Sequence, residues 1–441
     1  MKISEELANE TTQRNLTREQ KEAVGLLSIG TFLEYFDLML FVHMAVILNE
    51  LFFPKHDPYI SSLLASFAFF TTYLMRPIGA LIFGYIGDNI GRKYTVIITT
   101  FLMALSSLTM FFLPTYAQIG ITASWLVTIC RMIQGMSSMG EIIGAVLYLT
   151  ESIKEPKNYV PVALIRVLPA LSTFAALGVA AISIKYGLNW RIAFLVGALV
   201  ALVGSVARSA LRETPDFVDA KKRLIIGKTK IRHPKIDKKL AFSYFFLECT
   251  WPLWVYIVYI YCANALKNDF SYSASEIIEH NLKISLAGLL SCFVVIYFTK
   301  RIHPIQIMKF IISIFILFFP PIIYLLASDY SIINIVILQY FMIIFTPTTV
   351  PGDPVILKHF PILKRFLTTS MLYAISRIVI YFFTSFGTLY FTQRFGVYGL
   401  LIIIIPTVIA YLYGLNTFIQ LEKEVGNYPK KTSWNIVYLD N

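Results

Sequence analysis

Apolar residues along this chain come in long, nearly unbroken blocks separated by short polar connectors. The blocks run over about 24–50, 60–86, 93–113, 121–149, 161–184 and 190–211, and then 240–266, 276–299, 305–327, 331–357, 366–391 and 396–419. Each is long enough to cross a hydrocarbon core of about 30 Å as a helix. A helix satisfies its own backbone hydrogen bonds, which an open strand in lipid cannot do. The pattern therefore predicts an all-α membrane protein with twelve transmembrane helices in two pseudo-symmetric six-helix halves. Thr17 to Gln20 fits a capping box that opens the first helix.

The expected division is an N-terminal segment at 1–23, a first half at 24–211, a basic linker at 212–239, a second half at 240–420 and a tail at 421–441. The polar start predicts that no signal peptide is cleaved, and the tail holds no heptad pattern. Composition agrees with the lipid assignment. Of 441 residues 57% are hydrophobic, and 15% are charged, against roughly a quarter charged in soluble chains. The formal charge of +12 sits mainly in connectors, where it encodes topology rather than nucleic-acid binding. Lys55, Lys185, Arg191, Lys267 and Arg394 are left for the outer loops. Both termini are then expected in the cytoplasm, with a bacterial inner membrane as the location. Cys130, Cys249, Cys262 and Cys292 all lie in apolar blocks without metal-like spacing and read as small core residues.

Between the second and third blocks the chain reads Gly84-Tyr85-Ile86-Gly87-Asp88-Asn89-Ile90-Gly91-Arg92-Lys93. This resembles the loop signature of the major facilitator superfamily, with Asn89 in place of the usual basic residue. Two glycines permit a tight turn and close helix contact. Asp88 can meet the positive end of a neighbouring helix. Three further segments resemble the metabolite:proton symporter branch of that family, which includes proline/betaine and α-ketoglutarate permeases. They are Gly30 to Asp37, Arg131 to Ala145, and Leu211 to Phe217; Arg76 to Gly79 and Asn189 to Ile192 are also alike. The second half matches more by layout: Phe298 to Pro304 keeps positive charge without the Asp and glycines, and Lys358 to Arg365 resembles the connector before span eleven.

Ionisable side chains at membrane depth are costly and mark function by default. Glu34 and Asp37 share one face of the first span, where two close carboxylates separate in proton affinity. With Glu141 they are the expected proton-coupling groups. Arg131, Gln134, Ser138 and Glu141 fall in a stripe about 80° wide on the fourth span, expected to face a central cavity. Arg131, Gln134, Arg166, Glu248 and Arg377 are the candidate substrate-binding residues, although Arg166 and Arg377 could equally snorkel to the interface. Gly140 and Gly144, on the opposite face of the stripe, suit close helix packing. Lys283 reads as interfacial, and His43, half a turn round from Glu34, as structural. Trp251, Trp254, Tyr256, Tyr259 and Tyr261 read first as interfacial anchors and packing groups, with a cation–π cage as the alternative. Pro169, Pro252, Pro347, Pro351 and Pro354 are expected to kink their spans.

The resemblance implies a secondary transporter working by alternating access. It would couple proton entry to uptake of a small zwitterion (proline- or betaine-like) or an organic acid. The alternatives are an exchanger of organic anions or phosphorylated metabolites, and a transport-inactive membrane scaffold or sensor. No Walker-type loop, catalytic nucleophile–base pair or metal cluster is visible. The expectation is a non-enzyme with no cofactor, powered by the proton gradient. Its partners would be lipid, protons and a small solute, with no nucleic acid and no obligate protein.

Overall fold

A computed structural model describes residues 16–43, 48, 51–53, 72–186, 189, 191–209, 211–225 and 236–429. The chain order is α1 (Arg18–His43), α2 (Arg76–Asn89), α3 (Arg92–Phe112), α4 (Ile121–Ser152), α5 (Tyr159–Tyr186) and α6 (Arg191–Arg208). After a connecting helix, Pro215–Ile225, come α7 (Lys238–Phe270), α8 (Ala274–Thr299), α9 (Pro304–Ser328), α10 (Ile332–Phe345), α11 (Ile362–Phe382) and α12 (Gly399–Val425). Eight helices among the described residues are long and apolar enough to cross a membrane, and no strand occurs among those residues. Residues 60–71 of the second predicted span, the side chain of His43, Lys55 and residues 226–235 of the basic linker lie outside the described residues.

The order of twelve matches the hydrophobic pattern, with local differences that have physical causes. The first helix begins at Arg18 because Thr17 and Gln20 exchange hydrogen bonds of 3.0 and 3.2 Å across its first turn. The apolar block at 331–357 is not one span. Helix α10 ends at Phe345, residues 346–352 leave the helix, and Asp353–Leu357 forms a separate turn. Pro347 and Pro351 lack the amide that would continue the ladder, so the chain breaks there rather than kinks. In α7, the α-helix is interrupted at Cys249, three residues before Pro252, and a π-helical turn follows at Ile257–Tyr261. Pro169, by contrast, remains inside α5.

Large apolar side chains such as Leu81, Phe101, Val203, Leu317, Ile333 and Ile409 stand exposed on the outer faces, the surface that lipid covers. Inside, α2 packs on α4 and α3 on both α4 and α6. Gly135 sits so close to the segment just before α2 that an added Cβ would lie 2.0 Å from the Thr72 carbonyl oxygen, and one on Gly140 would meet the Thr99 methyl at 2.3 Å. The two halves join through α2 against α11 and α5 against α8. That seam holds the Arg92 and Glu248 clusters described next.

Candidate transport site and the lock at one end of the bundle

The seam is closed at the signature-loop end by Arg92, whose side chain is wholly buried. It pairs with Asp88 at 2.9 Å and Glu151 at 3.1 Å, and donates to the Ile362 carbonyl at 2.8 Å and to that of Gly87. The Phe217 ring lies 4.7 Å from its guanidinium carbon. Asp88 accepts from the backbone amides of Phe366 and Leu367 at 3.2 and 2.9 Å, early in α11. Gly84 and Gly87 allow that approach, since a Cβ on Gly84 would sit 2.8 Å from the Leu367 Cα.

Motifs far apart in sequence meet here. Glu213 accepts from the amides of Arg92 and Lys93 at 3.0 and 3.3 Å, capping α3 with a negative charge. A Cβ on Gly91 would strike that carboxylate. Arg365 bonds to Glu151 at 3.2 Å and to the carbonyls of Phe360 and Lys358, tying the connector before α11 to the first half. Asn89 gives no charge to the cluster, but Lys221 of the connecting helix reaches its carbonyl at 3.2 Å.

Deeper in the bundle, the structure brings together three predicted residues and one unpredicted one. Glu248 of α7 pairs with Arg377 of α11 at 2.8 Å and with Arg166 of α5 at 3.1 Å. Arg166 also pairs with Asp353, from the turn after α10. Neither arginine snorkels: each is buried and faces its partners. Two cations and two anions leave the group formally neutral. Arg377 stacks over Tyr373 at 3.3 Å from the ring centre, and the Tyr373 hydroxyl meets that of Tyr35 at 3.0 Å across the seam.

Beside this network lies a cavity of about 120 Å³ between the halves, lined by Arg166, Trp251, Trp254 and Tyr259 among others. The sequence reads the α7 aromatics first as interfacial anchors and packing groups, and Trp251 and Trp254 do pack, edge-on to Tyr35 and against Phe315. Trp251, Trp254 and Tyr259 line the interior cavity rather than an interface, because the charged network fixes the inward face of α7 through Glu248.

Glu34 and Asp37 line a separate space of about 10 Å³ with Arg76, Gln134 and Ser138, room for about one water. Asp37 accepts from Ser107 at 3.1 Å and stands within electrostatic reach of Arg131. Arg131 itself donates to Gln134 at 2.6 Å. Both Glu34 carboxyl oxygens are buried without a hydrogen-bond partner among the described residues. The α4 stripe therefore divides. Gln134 and Ser138 reach this space, while Glu141 turns to Arg208 at 2.6 Å and to the hydroxyls of Thr99 and Thr100. Lys283 is exposed, pairing with Glu279 at 3.2 Å.

Sequence reasoning missed Asp353, Arg208 and Glu151. Asp353 was visible as a charge inside an apolar block. Arg208 and Glu151 sit near span ends, where charges are ordinary, and only their partners mark them.

The Major Facilitator Superfamily profile matches residues 27–361. The chain belongs to the major facilitator superfamily. It is an integral multi-pass membrane protein. Among relatives, a Haemophilus influenzae protein named for metabolite transport is 32% identical over 272 residues, covering 58% of this chain and 60% of that protein. The proline/betaine transporter of Salmonella typhimurium is 31% identical over 206 residues, 45% of this chain and 41% of the relative. The chain thus spans about half the length of the curated relatives it matches. The proton:xylose symporter XylE shares the fold at TM-score 0.67 with 12% identity, over 95% of this chain and 97% of that one.

Proposed function

We propose that this facilitator-superfamily protein is a proton-coupled symporter of a small zwitterion, in a bacterial inner membrane with both termini cytoplasmic. The observation that carries the reading is the cavity between the halves, lined by Arg166 of α5 and by Trp251, Trp254 and Tyr259 of α7. A guanidinium suits a carboxylate, and aromatic faces suit a cation. Because Glu248 and Asp353 already balance Arg166 and Arg377, the site has no surplus positive charge for a phosphorylated metabolite or dianion. A net-neutral solute fits it better, which ranks the anion exchanger second.

Glu34 is the proposed proton carrier, with Asp37 beside it. A carboxyl buried without a partner exists at low cost only when neutral, and Arg76 lines the same space as a ready counter-ion once the proton leaves. Glu141 is reassigned from coupling to structure, since Arg208 holds it. Arg92 and its partners would keep the cytoplasmic end shut while the halves rock about the midplane. A proton falling through about 100 mV releases roughly 2.3 kcal/mol, enough for about fifty-fold accumulation. The fold family and the transporter-named relatives support a carrier over an enzyme, and the built central cavity speaks against an inert scaffold.

The test is uptake of radiolabelled proline and betaine into liposomes holding the purified protein, under an imposed inward proton gradient. Accumulation that a protonophore abolishes supports the reading. No accumulation of any zwitterion, or accumulation indifferent to the protonophore, rejects it.

A further inference from the structure

The central cavity carries more information in its hydrogen-bonding polarity than in its shape. Thr173, Ser285 and Ser291 line it, and each hydroxyl donates its proton to a carbonyl of its own helix at 2.8 Å: Pro169, Leu282 and Gly288 respectively. A hydroxyl has one proton and two acceptor lone pairs. With the proton committed, each offers the cavity only acceptor sites. Donors are supplied at two other points on the wall. Arg166 spends two of its N–H groups on Asp353 and Glu248, out of five on a guanidinium. The indole Nε1 of Trp254 is buried and has no hydrogen-bond partner among the described residues, and an unpaired buried donor is expensive unless a ligand meets it.

We propose that the cavity selects a zwitterion whose ammonium still carries N–H groups, as a primary or secondary amino acid does, over a fully N-methylated betaine. This deepens the reading of the same site as a zwitterion carrier and rests on it. The solute carboxylate takes the donors of Arg166 and Trp254. Its N–H groups, three in a primary and two in a secondary amino acid, take lone pairs from among Thr173, Ser285 and Ser291. The aromatic faces do not discriminate, because a ring quadrupole attracts a methylated and an unmethylated cation alike. The acceptors do discriminate: a quaternary ammonium would strip water from three hydroxyl oxygens and return no hydrogen bond.

Three ligands of one skeleton test this: proline, N-methylproline and N,N-dimethylproline, which carry two, one and no ammonium N–H. Purified full-length protein is titrated with each by tryptophan fluorescence, and each competes against radiolabelled proline uptake in liposomes. The expected result is affinity falling in that order, by about tenfold or more between the first and the last. In Thr173→Val and Ser285→Ala the ratio between proline and the dimethyl analogue should shrink. In Trp254→Phe all three ligands should weaken together, leaving the ratio unchanged. A dimethyl analogue that binds as tightly as proline overturns the donor requirement while the zwitterion reading stands. Absence of binding and of uptake for all three overturns both. A selectivity ratio untouched by the hydroxyl substitutions, with binding retained, overturns the assignment to these residues.

Discussion

Four of the buried carboxylates among the described residues, Glu34, Glu141, Glu248 and Asp353, divide by what faces them. Glu248 is bonded to two arginines and Thr349, Asp353 to Arg166, and Glu141 to Arg208 and two threonines, whereas Glu34 has no hydrogen-bond partner among the described residues. Removing one member of a buried pair strands the other charge and costs about 3–5 kcal/mol. Glu248→Gln should therefore lower the melting temperature in detergent by several degrees, and adding Arg377→Met should recover part of the loss. Glu141→Gln should likewise destabilise, yet leave concentrative uptake in whatever protein folds. Glu34→Gln should do the reverse: near-normal melting, solute exchange retained, and loss of accumulation against a gradient. Flux assays on the two variants side by side check this division. The sequence marks Glu34, Asp37, Glu141 and Glu248 as charges in oil, the first three for coupling and the last for substrate. It could not tell which of them are paired, because the partners lie dozens of residues away.

At the scale of elements, glycines and caps set the distances between helices. Gly84 brings α2 against the backbone of α11, and Asp88 then reaches the amides of Phe366 and Leu367. Gly84→Val should force the pair apart and raise hydrogen exchange at those two amides by about tenfold or more, with α12 unaffected. Glu213 caps α3 from the far side of the half. Glu213→Ala should cost about 1–2 kcal/mol, visible as faster exchange in the first turn of α3. The spacing of the signature loop and the Leu211 to Phe217 segment were both legible in the sequence as separate motifs. Their meeting was not, since capping across more than a hundred residues leaves no local pattern. The break of α10 at Pro347 and Pro351 was half legible: the prolines were plain, but whether a helix kinks or ends depends on what packs around the freed carbonyls.

For the molecule as a whole, the signature-loop end is also where the last described residues return. His303, just before α9, is packed between the rings of Tyr159 and Tyr428 at 6.0 and 5.9 Å. Burial lowers its pKa from 6.5 to about 4, against the opposing pull of Glu422. The unfolded chain therefore takes up a proton near pH 6.5 that the folded chain refuses until about pH 4. Stability should fall as pH drops through that window, by up to about 3 kcal/mol from this one group. His303→Phe should flatten the dependence of melting temperature on pH between those limits. Wild-type and variant curves of equal slope would contradict the assignment.

The hydrophobic pattern alone determined that this chain is a bundle of membrane helices in two halves. Lipid forbids unpaired backbone, and that constraint acts locally on each block. Local spacing also carried the capping box, the signature turn and the small-residue contacts of Gly140. Only the tertiary structure decided which arginine answers which acid, that the α7 aromatics line a cavity, and that Asp353 completes the central network. Those outcomes depend on helices packed side by side whose residues are far apart in the chain, and a buried charge takes its role from the group opposite it.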